Sequence, residues 1–229
     1  MAACRGQLTR ARDLARQFET EASATGGLKG AATLTWSSFA QFSAQVGQAA
    51  QARAEIRHAL ELNRNVNTVA NAAITMVLLG DLPEARRMID EAKRDLPPTS
   101  SDEIGRAFAT LDALYRLRAG DKSAVDAVPP PRDERDIGER ATLGLANLEL
   151  GNAEAAAARF KEILDDKRPS VSTDVALAPL YYGRALAKLG RADEARAAYE
   201  RFFTNWKNAD ADLPLLVSAK QEYSRLQKS

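Results

Sequence analysis

Apolar positions recur at intervals of three and four along almost the whole chain, the period of an α-helix that buries one face. The stretch from Leu177 to Pro214 shows it best. Tyr182, Gly183 and Leu186 mark a first run that ends at Leu189-Gly190, and Ala195, Tyr199, Phe202, Phe203 and Trp206 share one face of a second. Gly190 suits the left-handed residue that closes a helix. With Arg191 it leaves a turn too short for anything but an antiparallel helix pair.

The same pattern runs upstream. Residues 6–23 read as one helix with Leu8, Ala11, Leu14, Ala15 and Phe18 on its apolar side, followed by a loop from Thr25 to Gly30. That loop lacks the Gly-Lys-Ser/Thr of a phosphate cradle, so it is read as a helix stop. Trp36, Phe39 and Ala40, a turn at Gly47, then Ala52, Ile56, Ala59 and Leu60 form the next pair. Val69, Ala72, Ala73 and Met76, a turn at Gly80, then Ala85, Ile89 and Ala92 form another, stopped by Pro97. Residues 102–119 make a helix carrying Ile104, Phe108, Leu111, Leu114, Tyr115 and Leu117. After Gly120 only a short helix, 122–128, fits before Pro129-Pro130-Pro131. The proline run is read as an extended linker, with a proline-motif ligand as the other reading. Arg132 to Asp136 reads as a solvated loop. Leu143-Gly144, Asn147, Leu150-Gly151, Ala156, Phe160, Ile163 and Leu164 restore the pattern, with an insertion near 170–174. A last helix carries Leu213, Leu216, Val217, Tyr223 and Leu226, with Asp212 as its N-cap and Lys220, Glu222 and Arg225 outward.

The turn glycines at 47, 80, 120, 151 and 190 are separated by 33, 40, 31 and 39 residues. The unit Gly-x₂-Leu-x₃-Gly-x₄-Ala-x₃-Tyr resembles the tetratricopeptide repeat, two helices in roughly 34 residues. That resemblance implies an all-α, right-handed α-solenoid of antiparallel helix pairs, a tetratricopeptide superhelix, with a C-terminal capping helix. It spans 1–229 as a single domain. Its parts are a half repeat at 6–24, repeats at 31–64 and 66–97, a degenerate repeat at 101–131, repeats at 137–169 and 174–208, and a cap at 212–227. A half repeat at the start is what a piece of a longer array would show. Small residues at 144 and 183, and alanines at 52, 85, 156 and 195, let neighbouring helices approach, and the aromatic or aliphatic residue four positions later fills the gap between units.

Composition narrows function mainly by exclusion. Charged residues are 28% and hydrophobic ones 45%, as in a soluble globular protein. The net charge of +1 gives no reason to expect nucleic acid or an anionic membrane as partner. Apolar runs fall short of the ~20 residues that span a bilayer. The start, Met1 to Gly6, is not followed by the apolar core of a signal peptide or of the lipoprotein site that Ala2-Ala3-Cys4 superficially matches. One cysteine, Cys4, permits no internal disulfide, and only Arg5 is near to activate it. A single histidine, His58, supports neither a histidine metal cluster nor a serine–histidine triad and reads as a groove-edge residue. Asp210 and Asp212 are read as caps rather than a cation site. No catalytic residue, cofactor or metal site is expected.

The closing segment resembles the carboxyl end of repeat regions attached to large bacterial serine/threonine protein kinases, and of those following winged-helix regulators. The matching pieces are Tyr182 to Ala185, Ala195 to Tyr199, Phe203, Trp206-Lys207, Ala209 to Pro214, Glu222-Tyr223 and, earlier, Phe160 to Asp165. The resemblance implies a non-catalytic protein-interaction module of a larger bacterial signalling protein. The alternative is a structural scaffold or self-association domain, which would make the chain a homo-oligomer. In that family layout the repeats follow a membrane segment and lie outside the cytoplasm; the residues themselves leave the compartment open. First-helix residues line the family's concave groove. Here they are Ser37, Gln41, Gln45, Asn67, Asn71, Ile74, Thr110, Leu114, Leu145, Tyr181, Arg184 and Lys188. The family's lysine–asparagine carboxylate clamp is missing, so the expected groove is apolar and amide-lined and takes a protein or peptide partner.

Overall fold

The computed structural model describes residues 1–25, 29–97, 101–132, 136–168 and 172–227. Among the described residues the chain is all-helical, with eleven α-helices, two 3-10 helices and no strand. The α-helices are α1 (Leu8–Thr25), α2 (Lys29–Gln45), α3 (Ala49–Leu62), α4 (Val66–Leu79), α5 (Leu82–Arg94), α6 (Asp102–Arg118), α7 (Ile137–Leu150), α8 (Ala153–Asp165), α9 (Thr173–Lys188), α10 (Ala192–Asn205) and α11 (Pro214–Leu226). The 3-10 helices are Ala3–Arg5 and Lys122–Ala127. Among the described residues no helix is long and apolar enough to cross a membrane.

Most adjacent helices are joined by turns that close in one way. Gly80 has φ +74°, its N–H bonds back to the last turn of α4, and Asp81 N–H reaches Met76 O at 2.9 Å. That left-handed closure satisfies carbonyls the helix leaves orphaned, and a side chain at Gly80 would strain it. Gly6, Gly47, Gly120, Gly151 and Gly190 adopt the same positive φ. Gly47, Gly80, Gly120, Gly151 and Gly190 are the five turn glycines that the periodicity marks, and Gly6 adds a sixth ahead of α1.

The chain divides into two compact units, residues 11–127 and residues 1–10 with 128–229. In the first, α2 packs on α3 and α4, α4 on α3, α5 and α6, and α6 on α5 and the second 3-10 helix. Its core holds Trp36, Ala40, Ile56, Val69, Ala72, Ala73, Met76, Ile89 and Leu111. Ala72 and Ala73 on α4 are fully buried, which lets neighbouring helices close on it from several sides.

In the second unit, α8 packs on α7 and α9, α9 also on α7, α10 and the first 3-10 helix, and α10 on α11. Phe160, Leu177, Leu180, Leu186, Tyr199, Phe202 and Trp206 are buried there. Gly144 faces the Phe160 ring and Gly183 faces the Tyr199 ring, each closely enough that an added Cβ would lie within 3 Å. The expected backbone approach is a slot for an aromatic ring from the partner helix of the same pair, and Phe160 also stacks on Tyr181 in the next pair.

Several local expectations are corrected. Lys29 and Gly30 open α2 rather than closing the preceding loop, whose residues 26–28 lie outside those described. Residues 98–100, 133–135 and 169–171 also lie outside, and with them most of the expected 132–136 loop and part of the insertion near 170. The helix expected at 122–128 is a 3-10 segment, Lys122–Ala127, cut short ahead of the prolines. Leu14 is 50% exposed and Arg12 is buried in its place on α1. The N-cap of α11 is Leu213, with Pro214 as the first helical residue. The capping carboxylate belongs instead to Asp210, which accepts Thr9 N–H at 2.8 Å and Thr9 Oγ1–H at 3.0 Å at the start of α1.

Candidate functional site

The groove residues expected in the first unit lie on α2, α4 and α6, helices that pack in succession. Gln41 and Asn71, both half-buried, are brought together, with Gln41 Nε2 donating to Asn71 Oδ1 at 2.9 Å. Gln45 lies one turn beyond Gln41, and its buried Oε1 meets no donor among the described residues. Asn67 is exposed and Thr110 half-buried. Ile74 and Leu114 are half-buried against the core. Ser37 is 1% exposed and donates its hydroxyl to Thr33 O at 2.9 Å, so it presents nothing to a ligand. It spends its hydroxyl on the helix's own backbone, as serine often does mid-helix.

In the second unit, Leu145 is half-buried on α7. Tyr181 is buried and stacks on Phe160 at 5.5 Å between centroids, under the Arg184 guanidinium at 5.6 Å. It is a packing residue with little surface to offer. Arg184 forks onto both carboxylate oxygens of Glu222 at 2.9 Å and reaches Ser218 Oγ at 3.2 Å. Tyr199 Oη donates to the same carboxylate at 2.7 Å. Burial and, next, the adjacent Glu222 carboxylate raise the Tyr199 pKa. Burial disfavours the Arg184 charge, but the bond and charge of Glu222 outweigh it and raise that pKa. Glu222 is thus an inward anchor of α11, not part of its solvated face. Its register was visible, since Leu215, Ala219, Glu222 and Leu226 follow offsets of four, three and four. Lys188 is exposed at the end of α9. A cleft of about 510 Å³ opens here, with Leu148, Ala187 and Leu226 as apolar lining and Arg184, Lys188, Arg225 and Glu222 as charged lining.

A second cleft, of about 640 Å³, lies among α1, α2 and α3. Glu19 Oε2 accepts Trp36 Nε1–H at 2.7 Å and lies 2.8 Å from His58 Nε2, which donates in its Nε2–H tautomer. The His58 ring stands edge-on to Trp36, 5.2 Å away. Burial works against ionisation of Glu19, but the bonds from His58 and Trp36 outweigh it and lower its pKa. Beside them Arg12 Nε meets Glu55 Oε1 at 2.6 Å, with Arg12 Nη2 on Ser43 and Gln48. Periodicity marks Trp36 only as core, and nothing in the sequence pairs it with Glu19 and His58, which are 39 residues apart. The arrangement fastens α1 to α2 and α3.

Among the described residues no group of three or more histidine, cysteine, aspartate or glutamate side chains could hold a metal ion. Burial raises the Cys4 thiol pKa, the opposite of what an activated nucleophile needs. Comparison with protein-family models, with curated proteins and with solved structures gives no match to this chain.

Proposed function

We propose that the chain is a non-catalytic protein-interaction module, a right-handed superhelix of tetratricopeptide-like helix pairs closed by α11. It takes up an extended peptide, or a loop of a partner domain, along α2, α4 and α6. The observation that carries this reading is the amide row of Gln41, Asn71 and Gln45 on α2 and α4, with Gln41 Nε2 donating to Asn71 Oδ1. Half-buried amides carry both donors and acceptors, the groups an extended peptide backbone pairs with. The likeness of the closing segment to repeat regions of bacterial kinases and winged-helix regulators places the module, in this proposal, within a larger bacterial signalling protein.

Binding to an array of random nonapeptides, followed by anisotropy titration of the hits, tests the reading. Gln45→Ala and Asn71→Ala should each weaken binding severalfold while the melting temperature stays near that of the parent. Amidating the peptide's C-terminus should change nothing, because no carboxylate clamp is built. A tight dimer by light scattering, with no peptide bound, would overturn this reading in favour of a self-associating scaffold.

A further inference from the structure

We infer that the cleft between the end of α10, residues 206–213 and α11 binds a small aromatic carboxylate, a single ring bearing one acid group. The inference is independent of the peptide-binding reading and concerns a cleft that reading does not use. The volume is about 530 Å³, within the usual range for ligand sites, about 300–1,000 Å³. Among the described residues the lining carries two cations, Lys207 and Lys220, and no carboxylate. Phe203 and Tyr223 line it half-buried, so each presents part of its ring. The two rings meet edge-on, at 82° with 5.5 Å between centroids. They form a corner in which a third ring meets one by its face and the other by its edge, arrangements that aromatic pairs prefer. Trp206 and Leu216 also line the cleft and are buried, which gives its apolar wall a fixed position.

The two lysines set the charge of the ligand. Elsewhere in the chain a cation commonly meets a carboxylate one turn away, as in Arg86–Asp90, Lys161–Asp165 and Arg191–Glu194. Lys207 and Lys220 are exposed and have no ion-pair or hydrogen-bond partner among the described residues. The positions three and four away from Lys220 on α11 are Leu216, Val217, Tyr223 and Ser224, none of them acidic. Asp210, three residues beyond Lys207, is committed to Thr9 N–H at 2.8 Å. Glu200 accepts Tyr223 Oη–H at 2.6 Å, Glu222 is forked onto Arg184, and Asp212 is exposed; none of these three lines the cleft. A lysine is a compact ammonium on a flexible apolar stem, so it lies along an apolar wall and still reaches an acid group at the opening. An anion placed there meets two positive charges, whereas a cationic ring meets like charge, which selects against it.

The test is isothermal titration of the intact chain with hydrocinnamate, its neutral amide and phenethylammonium, three probes that share one ring and differ in charge. The acid should bind, weaken as salt rises, and exceed the amide and the ammonium by roughly tenfold. Lys207→Gln and Lys220→Gln should each weaken the acid severalfold, and the double variant should bind acid and amide alike. Ala211→Phe, which adds a ring to the lining and changes no charge, should abolish binding. Thermal melts verify that each variant is folded. No binding of the acid, equal binding of acid and amide by the parent chain, or no response to the lysine substitutions overturns the inference. If hydrocinnamate does not bind but a nonapeptide with a glutamate-flanked phenylalanine does, the occupant is a peptide and the inference falls. A concentration-dependent dimer that the lysine substitutions dissolve would put a second copy of this chain against the cleft, and also overturns it.

Discussion

Gly183 on α9 lies against the Tyr199 ring of α10, so close that a Cβ at position 183 would sit 2.9 Å from Tyr199 Cδ2. The ring has no room to retreat, because Tyr199 is 1% exposed and its hydroxyl is held by Glu222. Gly183→Ala should therefore destabilise the chain. The overpacking cost of about 1–3 kcal/mol exceeds or cancels the helix-propensity gain of about 1 kcal/mol. A urea midpoint clearly above that of the parent would refute the slot.

The turn glycines separate two kinds of cost. At Gly190, with φ +73°, an added Cβ meets nothing within 4 Å. Gly190→Ala should cost only the left-handed backbone penalty, about 1–2 kcal/mol. At Gly6, with φ +71°, the same atom would lie 2.5 Å from Ala209 Cβ and 2.8 Å from Trp206 Cε3. Gly6→Ala should cost more by about 1–3 kcal/mol. Equal losses in chemical denaturation would show that the N-terminal segment does not cover Trp206.

The Arg12–Glu55 pair is enclosed, with side chains 11% and 4% exposed. Arg12→Met leaves a buried carboxylate without its partner and should cost about 3–5 kcal/mol. Adding Glu55→Leu should recover much of that loss, since removing both charges also removes the need to desolvate them. A double variant no more stable than Arg12→Met would contradict this account.

Glu19 makes stability pH-dependent. Its folded pKa lies below its unfolded value, because the bonds from His58 and Trp36 outweigh burial. The contribution is complete above the unfolded value, about 4.3, and is lost as pH falls through the folded one. Glu19→Gln should lower stability at neutral pH and flatten its decline between about pH 5 and 3. Parallel acid limbs for the two proteins would show that the carboxylate is not held this way.

Ending the chain at Ala211 tests α11. Leu213, Leu215, Leu216 and Ala219 are buried, and Tyr223 packs on Tyr199 and Phe203 at 6.1 and 5.5 Å. Each large apolar side chain left uncovered forfeits about 1.5–3 kcal/mol. The shortened chain should melt lower and associate. One that stays monomeric and melts like the parent would show that α11 covers nothing.

Local rules reached the helices because they act within a few residues. Helix type, the turn glycines from Gly47 to Gly190 and most of the apolar stripes follow from periods and from left-handed closure, which Gly80 or Gly190 dictates on the spot. The same logic found Phe160 and Tyr199 as large residues and Gly144 and Gly183 as small ones. It did not show that each ring enters the slot on its own partner helix, which depends on how two helices cross.

Tertiary structure decided the polar pairings. Glu222 looks solvated among Lys220 and Arg225, yet α9 presents Arg184 to it and α10 presents Tyr199. Asp210 reads as a cap for the helix after it, yet its carboxylate closes α1, 201 residues away. Glu19, Trp36 and His58 share no period and meet only because α1 lies over α2 and α3. Hydrophobic burial is roughly additive along a helix face and so leaves a repeating trace in the sequence. A charged or hydrogen-bonded pair is specific to two atoms and leaves none until the chain brings them within about 3 Å.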